Sequence, residues 1–169
     1  FGRDMVGVHL IHGLGESERE LVGVIDRARA LGGGTHLFCF FPEKFSALGE
    51  RPQPPASGYR RIQLARWLID HDQARAAAMS FDDQGRIVDF GADPALVEAA
   101  IASGQPFMTS GCPGADGQVA CNRPYANSRP GPDIRNFPFP PAAHDVARIR
   151  WQMGLPGGVE HPAEADDAA

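Results

Sequence analysis

Two short apolar runs with one closed helical segment between them constrain this chain more than anything else in it. Residues 6–12 (VGVHLIH) and 36–41 (HLFCFF) have strand length and strand composition. Between them, Ser17 and Glu20 stand at capping-box spacing, so their side chains and backbone N–H groups satisfy one another at a helix start. Leu21, Val22, Val24, Ile25, Ala28 and Leu31 supply an apolar face, and Gly32-Gly33-Gly34 ends the helix. Strand, helix and strand at this spacing predict a right-handed crossover joining two parallel strands. A parallel sheet is ordinarily covered on both faces, which makes the expected class α/β. Met5, Val6, Val8, Leu10 and Ile11 follow almost at once on Phe1, as though the chain entered a sheet partway, so it reads as a piece of something larger.

Beyond this unit the pattern loosens by stages. Residues 42–55 form a proline-rich loop, too long for an ordinary connector and of the kind that borders sites. A helix over about 57–71 carries Ile62, Ala65, Leu68 and Ile69 as its stripe, with Trp67 half exposed and Arg60-Arg61 on a solvated face. Residues 79–81 and 86–90, joined through Asp82-Asp83-Gln84-Gly85, read as a β-hairpin. Asp93-Pro94 opens a further helix that Gly104 closes. Ten of the fifteen prolines fall from Pro106 onward, and periodicity returns only in a short helix around 142–153. The expected organisation is therefore residues 1–104 as the α/β unit, 105–158 as an irregular cysteine-containing segment that wraps rather than folds alone, and 159–169 as a disordered tail.

Charge and length narrow the function classes. The 169 residues suit one domain, and 16 basic against 21 acidic side chains leave no basic stripe for a phosphate backbone, so nucleic acid is not an expected partner. No apolar run is long enough to cross a bilayer and the first residues lack the features of a signal peptide, which makes the cytoplasm the expected location and excludes a membrane partner. Three cysteines, an odd and small number, argue against a disulfide framework.

Three segments have the chemistry of a site. In TSGCPGADGQVACNRPY, Cys112 and Cys121 sit among residues with little means of building a core, as half a metal or cluster site or as free thiols. Cys39, inside HLFCFF, reads as a core residue. In HLIHGLGE, Gly13, Gly15 and Glu16 fall where a strand ends and a helix begins, where ligands bind in α/β folds, although a plain tight turn with Glu16 complementing the helix dipole accounts for them equally. His9 and His12 are each readable as satisfied core histidines. Asn122, Arg123, Tyr125, Asn127 and Arg129 are candidates to orient an anionic or polar substrate, or to cap the backbone of their own loop.

These residues resemble the radical SAM superfamily, in particular the biotin-synthase-like branch that includes the two-subunit lipoyl synthases. HLIHGLGE is similar to the family's strand-five motif G-x-I-x-G-x-x-E, with Ile11, Gly13 and Glu16 at matching positions and His9 where the first glycine is usual. THLFCFFPE, ending near Phe41, resembles the next strand; both border the adenine of S-adenosylmethionine in that family. TSGCP, CNRPY, NSRPGP and NFPFPP resemble a segment that typically reads SGCPxCNRPYYNERPGG, here with GADGQVA in place of a very short interval between the two cysteines.

The resemblance implies the second half of a partial (β/α) TIM-like barrel, its mouth closed by the irregular Pro/Gly-rich tail. It implies S-adenosylmethionine against Ile11, Gly13, Gly15, Glu16 and Phe41, and an auxiliary cluster near Cys112 and Cys121, with Asn122, Arg123, Tyr125 and Arg129 toward the substrate. The C-x-x-x-C-x-x-C motif that binds the radical-generating cluster is absent, so this chain alone is expected to be inactive. In the intact protein a reduced [4Fe–4S] cluster would pass an electron to S-adenosylmethionine, and the 5′-deoxyadenosyl radical would take hydrogen from an unactivated carbon. The implied reaction is sulfur insertion, on an octanoyl group borne by a carrier protein. Its implied partners are a ferredoxin or flavodoxin as reductant and a second radical SAM subunit. Radical methylation or rearrangement, and a non-catalytic metal-binding α/β interaction module, are the alternatives.

Overall fold

A computed structural model describes residues 3–160 except 117, 122 and 129. Along the chain lie β1 (Gly7–His12), α1 (Glu18–Ala30), β2 (Gly34–Cys39), α2 (Ala56–Asp70), β3 (Ser80–Phe81), β4 (Ile87–Asp89), α3 (Pro94–Ser103), β5 (Cys112–Pro113), β6 (Val119–Cys121) and α4 (Ala143–Met153). The strands form a parallel pair β1–β2 and antiparallel pairs β3–β4 and β5–β6. Among the described residues no strands close into a barrel, and no helix is long and apolar enough to cross a membrane.

The first unit forms for the reasons its sequence gives. The Ser17 backbone N–H donates to Glu20 Oε2 at 2.8 Å, and the Glu20 N–H donates to Ser17 Oγ at 3.2 Å. Glu18 and Glu20 in the first turn and Arg27 and Arg29 in the last complement the helix dipole. Gly32, at φ +81°, turns the chain into β2, which runs in register with β1 from Gly7↔Gly34 to His12↔Cys39. Strand alternation then splits β2 into two faces. Thr35, Leu37 and Cys39 are buried toward the helices, whereas His36 and Phe38 look the other way.

Helix α2 is the hub. Ten of its fifteen residues are buried, including Tyr59, Ile62, Leu64, Leu68 and Ile69, and also Arg60, Gln63 and Arg66. Arg60 corrects the expected solvated face: its side chain is 1% exposed and donates to the carbonyls of Ile134 and Arg135 at 2.7 Å each, to Gln152 Oε1 at 2.9 Å and to Gln63 Oε1 at 2.9 Å. Burial draws its pKa down to about 10, which still leaves the guanidinium charged at neutral pH. The physical reason is that the tail crosses this side of α2 with few ladder partners, so its buried carbonyls need side-chain donors. Gln63 Nε2 adds a second bond to the Arg135 carbonyl, and the Tyr59 hydroxyl lies 3.0 Å from the Leu37 carbonyl and 2.8 Å from Asn136 Oδ1. Phe107, Phe137 and Ile149 complete the core from the tail side. The Val159 N–H donates to the Ala147 carbonyl, while residues 161–169, most of the expected disordered tail, lie outside the described residues.

Beyond the core, β1 pairs on one edge only among the described residues. Two of its apolar side chains are left open, Val8 41% and Ile11 43% exposed, while Leu10 packs against the core.

Candidate functional site

The parallel pair has a cavity at its carboxyl end and another over its helix-free face. The first, of about 660 Å³, lies between the β1–α1 turn, the proline-rich loop and the start of α2. Gly13, at φ +109°, passes so close to Pro54 that a Cβ there would come within 2.6 Å of its ring. Glu16 accepts from the Gly13 N–H at 2.7 Å and the Leu14 N–H at 3.0 Å, and its Oε1 lies 3.1 Å from His12 Nδ1. With both oxygens engaged, this carboxylate braces its own turn. His12 stacks on Tyr59 with ring centroids 6.2 Å apart, and burial lowers its pKa against the opposing pull of Glu16, so the neutral ring donates from Nδ1. Arg51 Nε donates to the Gly13 carbonyl at 2.8 Å and fastens the proline-rich loop to this turn. Across the cavity Arg61 grips the buried Glu18 with two nitrogens, and Glu18 also accepts the Ile87 N–H at 2.8 Å.

The second cavity, of about 210 Å³, is lined by His9, His36, Phe38, Met108, Cys112 and Cys121, together with Arg66 and Arg123. His9 meets His36 and Phe38 edge-on, with centroids 5.2 and 5.3 Å away. His36 Nε2 lies 3.6 Å from Cys112 Sγ, and its Nδ1 lies 3.3 Å from Ser110 Oγ. Burial, aided by the neighbouring His9 and Arg66, lowers the His36 pKa. Cys112 and Cys121 are direct partners across β5–β6, and both are free thiols. Arg66 is almost wholly buried; its terminal nitrogen donates to the Thr35 carbonyl at 3.0 Å and lies 3.6 Å from Asp70 Oδ2, while Nε has no partner among the described residues.

The residues singled out from the sequence are thus divided. Gly13, Gly15 and Glu16 belong to the carboxyl-end cavity, and Ile11 shares the opposite, helix-free face with His9. Phe41 is half-buried against the core, as is Tyr125 in its own turn, where its carbonyl accepts from Ser128. Arg123 lines the second cavity with the two cysteines. Asn127 donates to the Cys39 carbonyl. Asn122 and Arg129 lie outside the described residues. Cys39 is fully buried on the helix side of β2, within reach of Gln53 and Arg135.

His36, Ser110, Met108 and Arg66 were not found by sequence reasoning. For His36 a signal existed: HLIH and HLFC align residue for residue in the parallel register, which places His36 opposite His9. Among the described residues no three His, Cys, Asp or Glu side chains are placed to hold a metal ion. Comparisons of the chain with protein-family models, with curated proteins and with solved structures each return no match.

Proposed function

We propose that this chain is the second half of a radical SAM enzyme of (β/α) barrel type, inserting sulfur into an unactivated C–H bond of a carrier-bound octanoyl group, and that it is inactive without the half that holds the radical-generating cluster. One observation supports the reading above the rest: the helix-free face of the parallel pair, which carries Ile11 and Phe38, is the face over which the cysteine-bearing tail folds.

S-Adenosylmethionine fits this face in part. Ile11, Phe38 and the edge of His9 offer the apolar and aromatic surface that an adenine needs, but a cavity of about 210 Å³ is smaller than the roughly 300–1,000 Å³ typical of such ligand sites, so the remaining wall belongs to the other half. When bound, the cofactor supplies hydrogen abstraction from an unactivated carbon. In this chain Ile11 and Phe38 would orient it, the Glu16 brace would keep the β1–α1 turn in shape, and Arg66 and Arg123 would draw in an anionic group.

An auxiliary cluster at Cys112 and Cys121 does not fit the described residues alone. They supply two thiols, while Cys39 is buried on the opposite face of β2. That shortfall favours, as a second reading, radical methylation or rearrangement, in which no cluster is sacrificed.

Sequencing the coding DNA upstream of Phe1 and in the neighbouring genes tests the proposal. The expected finding is a C-x-x-x-C-x-x-C half whose anaerobic assembly with this chain cleaves S-adenosylmethionine to 5′-deoxyadenosine. Absence of that motif, or an assembled protein without cleavage, overturns it. Loss of protein-bound sulfide during turnover then separates sulfur insertion from the second reading.

A further inference from the structure

The two free thiols of the tail face each other beside an oriented imidazole. Cys112 and Cys121 are matched Cα partners of an antiparallel ribbon, a relation that sets Cα atoms about 4.5–5.5 Å apart, within the usual range for a disulfide of about 4.4–6.8 Å. Gly111 holds the ribbon in this form: at φ +65° it passes Val119 so closely that a Cβ would come within 2.6 Å of it. On the cavity side Cys112 Sγ lies 3.6 Å from His36 Nε2, and Ser110 Oγ, 3.3 Å from Nδ1, is placed to accept the Nδ1 proton and leave Nε2 free as the acceptor. The ring has its place because Gly7 lacks a side chain; a Cβ there would fall 2.8 Å from Nε2. A nucleophile beside a base, with the base oriented by a third group, is the arrangement that activates a thiol.

We propose that Cys112 and Cys121 form a redox-active dithiol for small anionic disulfides, with Cys112 the attacking thiol, His36 its proton acceptor and Cys121 the resolving thiol. Cys112 passes its proton to His36 Nε2, and its sulfur attacks one sulfur of R–S–S–R. The Cys112–S bond forms as the S–S bond breaks, and the leaving RS⁻ takes the proton from the imidazolium. Cys121, as thiolate after losing its proton to solvent, next attacks Cys112 Sγ, forming the intramolecular disulfide and releasing the second RS⁻, which is reprotonated. The dithiol is oxidised by two electrons and R–S–S–R is reduced to two RSH. Arg66, whose buried Nε has no partner among the described residues and whose terminal nitrogen lies 3.6 Å from Asp70, and the exposed Arg123 line the same cavity and set the preference for a substrate that carries carboxylates. The inference stands on these side chains and does not depend on the radical SAM reading.

Cys39 is an internal control, since it is fully buried and burial pushes its thiol pKa up. The test is to treat the reduced full chain with oxidised glutathione and, in parallel, with the cationic disulfide cystamine, and to map the products by peptide mass. A Cys112–Cys121 disulfide is expected, forming about tenfold faster with oxidised glutathione, with Cys39 unmodified until the chain is unfolded. Cys121→Ser should stop at a glutathione adduct on Cys112. His36→Ala should slow alkylation of Cys112 on the order of tenfold and leave Cys121 unchanged, with far-UV circular dichroism as the check on folding. In the unmodified chain Cys112 should be alkylated ahead of the more exposed Cys121, a comparison that needs no variant. Faster labelling of Cys121, an equal rate for cystamine, or separate adducts without an intramolecular disulfide overturn the proposal.

Discussion

The β1–α1–β2 unit and the tail of residues 105–141 solve one problem in opposite ways. In the first, backbone groups satisfy one another: a parallel ladder in continuous register, a helix closed by its capping box, and glycines that turn the chain. In the second, two-residue and three-residue strands leave most backbone groups outside any ladder, and side chains of α2 supply the donors. The first arrangement is local and periodic, whereas the second spans more than seventy residues of sequence, as from Arg60 to Ile134 and Arg135. Local order can be read from residue spacing; distant pairing cannot.

The largest effect should come from breaking the distant pairing. Arg60→Met keeps much of the volume and removes every donor, leaving the Ile134 carbonyl without its bond and the Arg135 carbonyl with Gln63 alone. We expect a loss of about 3–5 kcal/mol, measured by denaturant unfolding, with proteolytic cleavage within residues 109–135 gained first. A loss below about 1 kcal/mol would mean that the tail is held by its apolar anchors, Phe107 and Phe137, rather than by α2's donors.

This contrast also explains what the sequence made legible. Ser17 with Glu20, Asp93 before Pro94 and the αL residue Gly104 are chemical marks at fixed offsets, and each helix end falls where those marks put it. Arg60 carried no such mark, since an arginine pair on a helix has the same sequence pattern whether it meets water or a buried strand of carbonyls. The candidate site divided in the same way. Gly13 and Glu16 were legible as a turn, and the structure makes that carboxylate a brace. The pairing of Cys112 with Cys121 and the approach of His36 depend on where an irregular segment lands, which periodicity does not encode.

A smaller effect should follow from a cut in the local unit. Ser17→Ala removes the acceptor for the Glu20 N–H and leaves the β1–β2 ladder untouched. Thermal or denaturant unfolding should register about 1 kcal/mol, with hydrogen exchange speeding up in the first turn of α1 and not in the tail. Equal acceleration in residues 105–141 would show that the two regions open as one, and the contrast between them would then concern construction and not stability.

The smallest effect concerns the joint where the local unit meets α2. His12 stacks on Tyr59 and donates to Glu16, and burial holds its pKa below the ordinary 6.5. As the pH falls through 6.5, the unfolded chain takes up a proton that the folded ring refuses, so unfolding gains. The stability contributed by the neutral ring is therefore whole above 6.5 and is lost as the pH descends toward the lowered folded value. His36, whose pKa is also lowered, adds a slope of the same sign, and Asp70, whose pKa burial raises, adds one of opposite sign. Both persist in His12→Gln, so they cancel when variant and parent are compared at each pH. The stability advantage of the parent over His12→Gln should accordingly narrow between pH 7 and pH 5. A difference that stays constant across that range would mean that Glu16 compensates the cost of burying the charged ring, and that the β1–α1 turn rests on an ion pair in place of a neutral hydrogen bond.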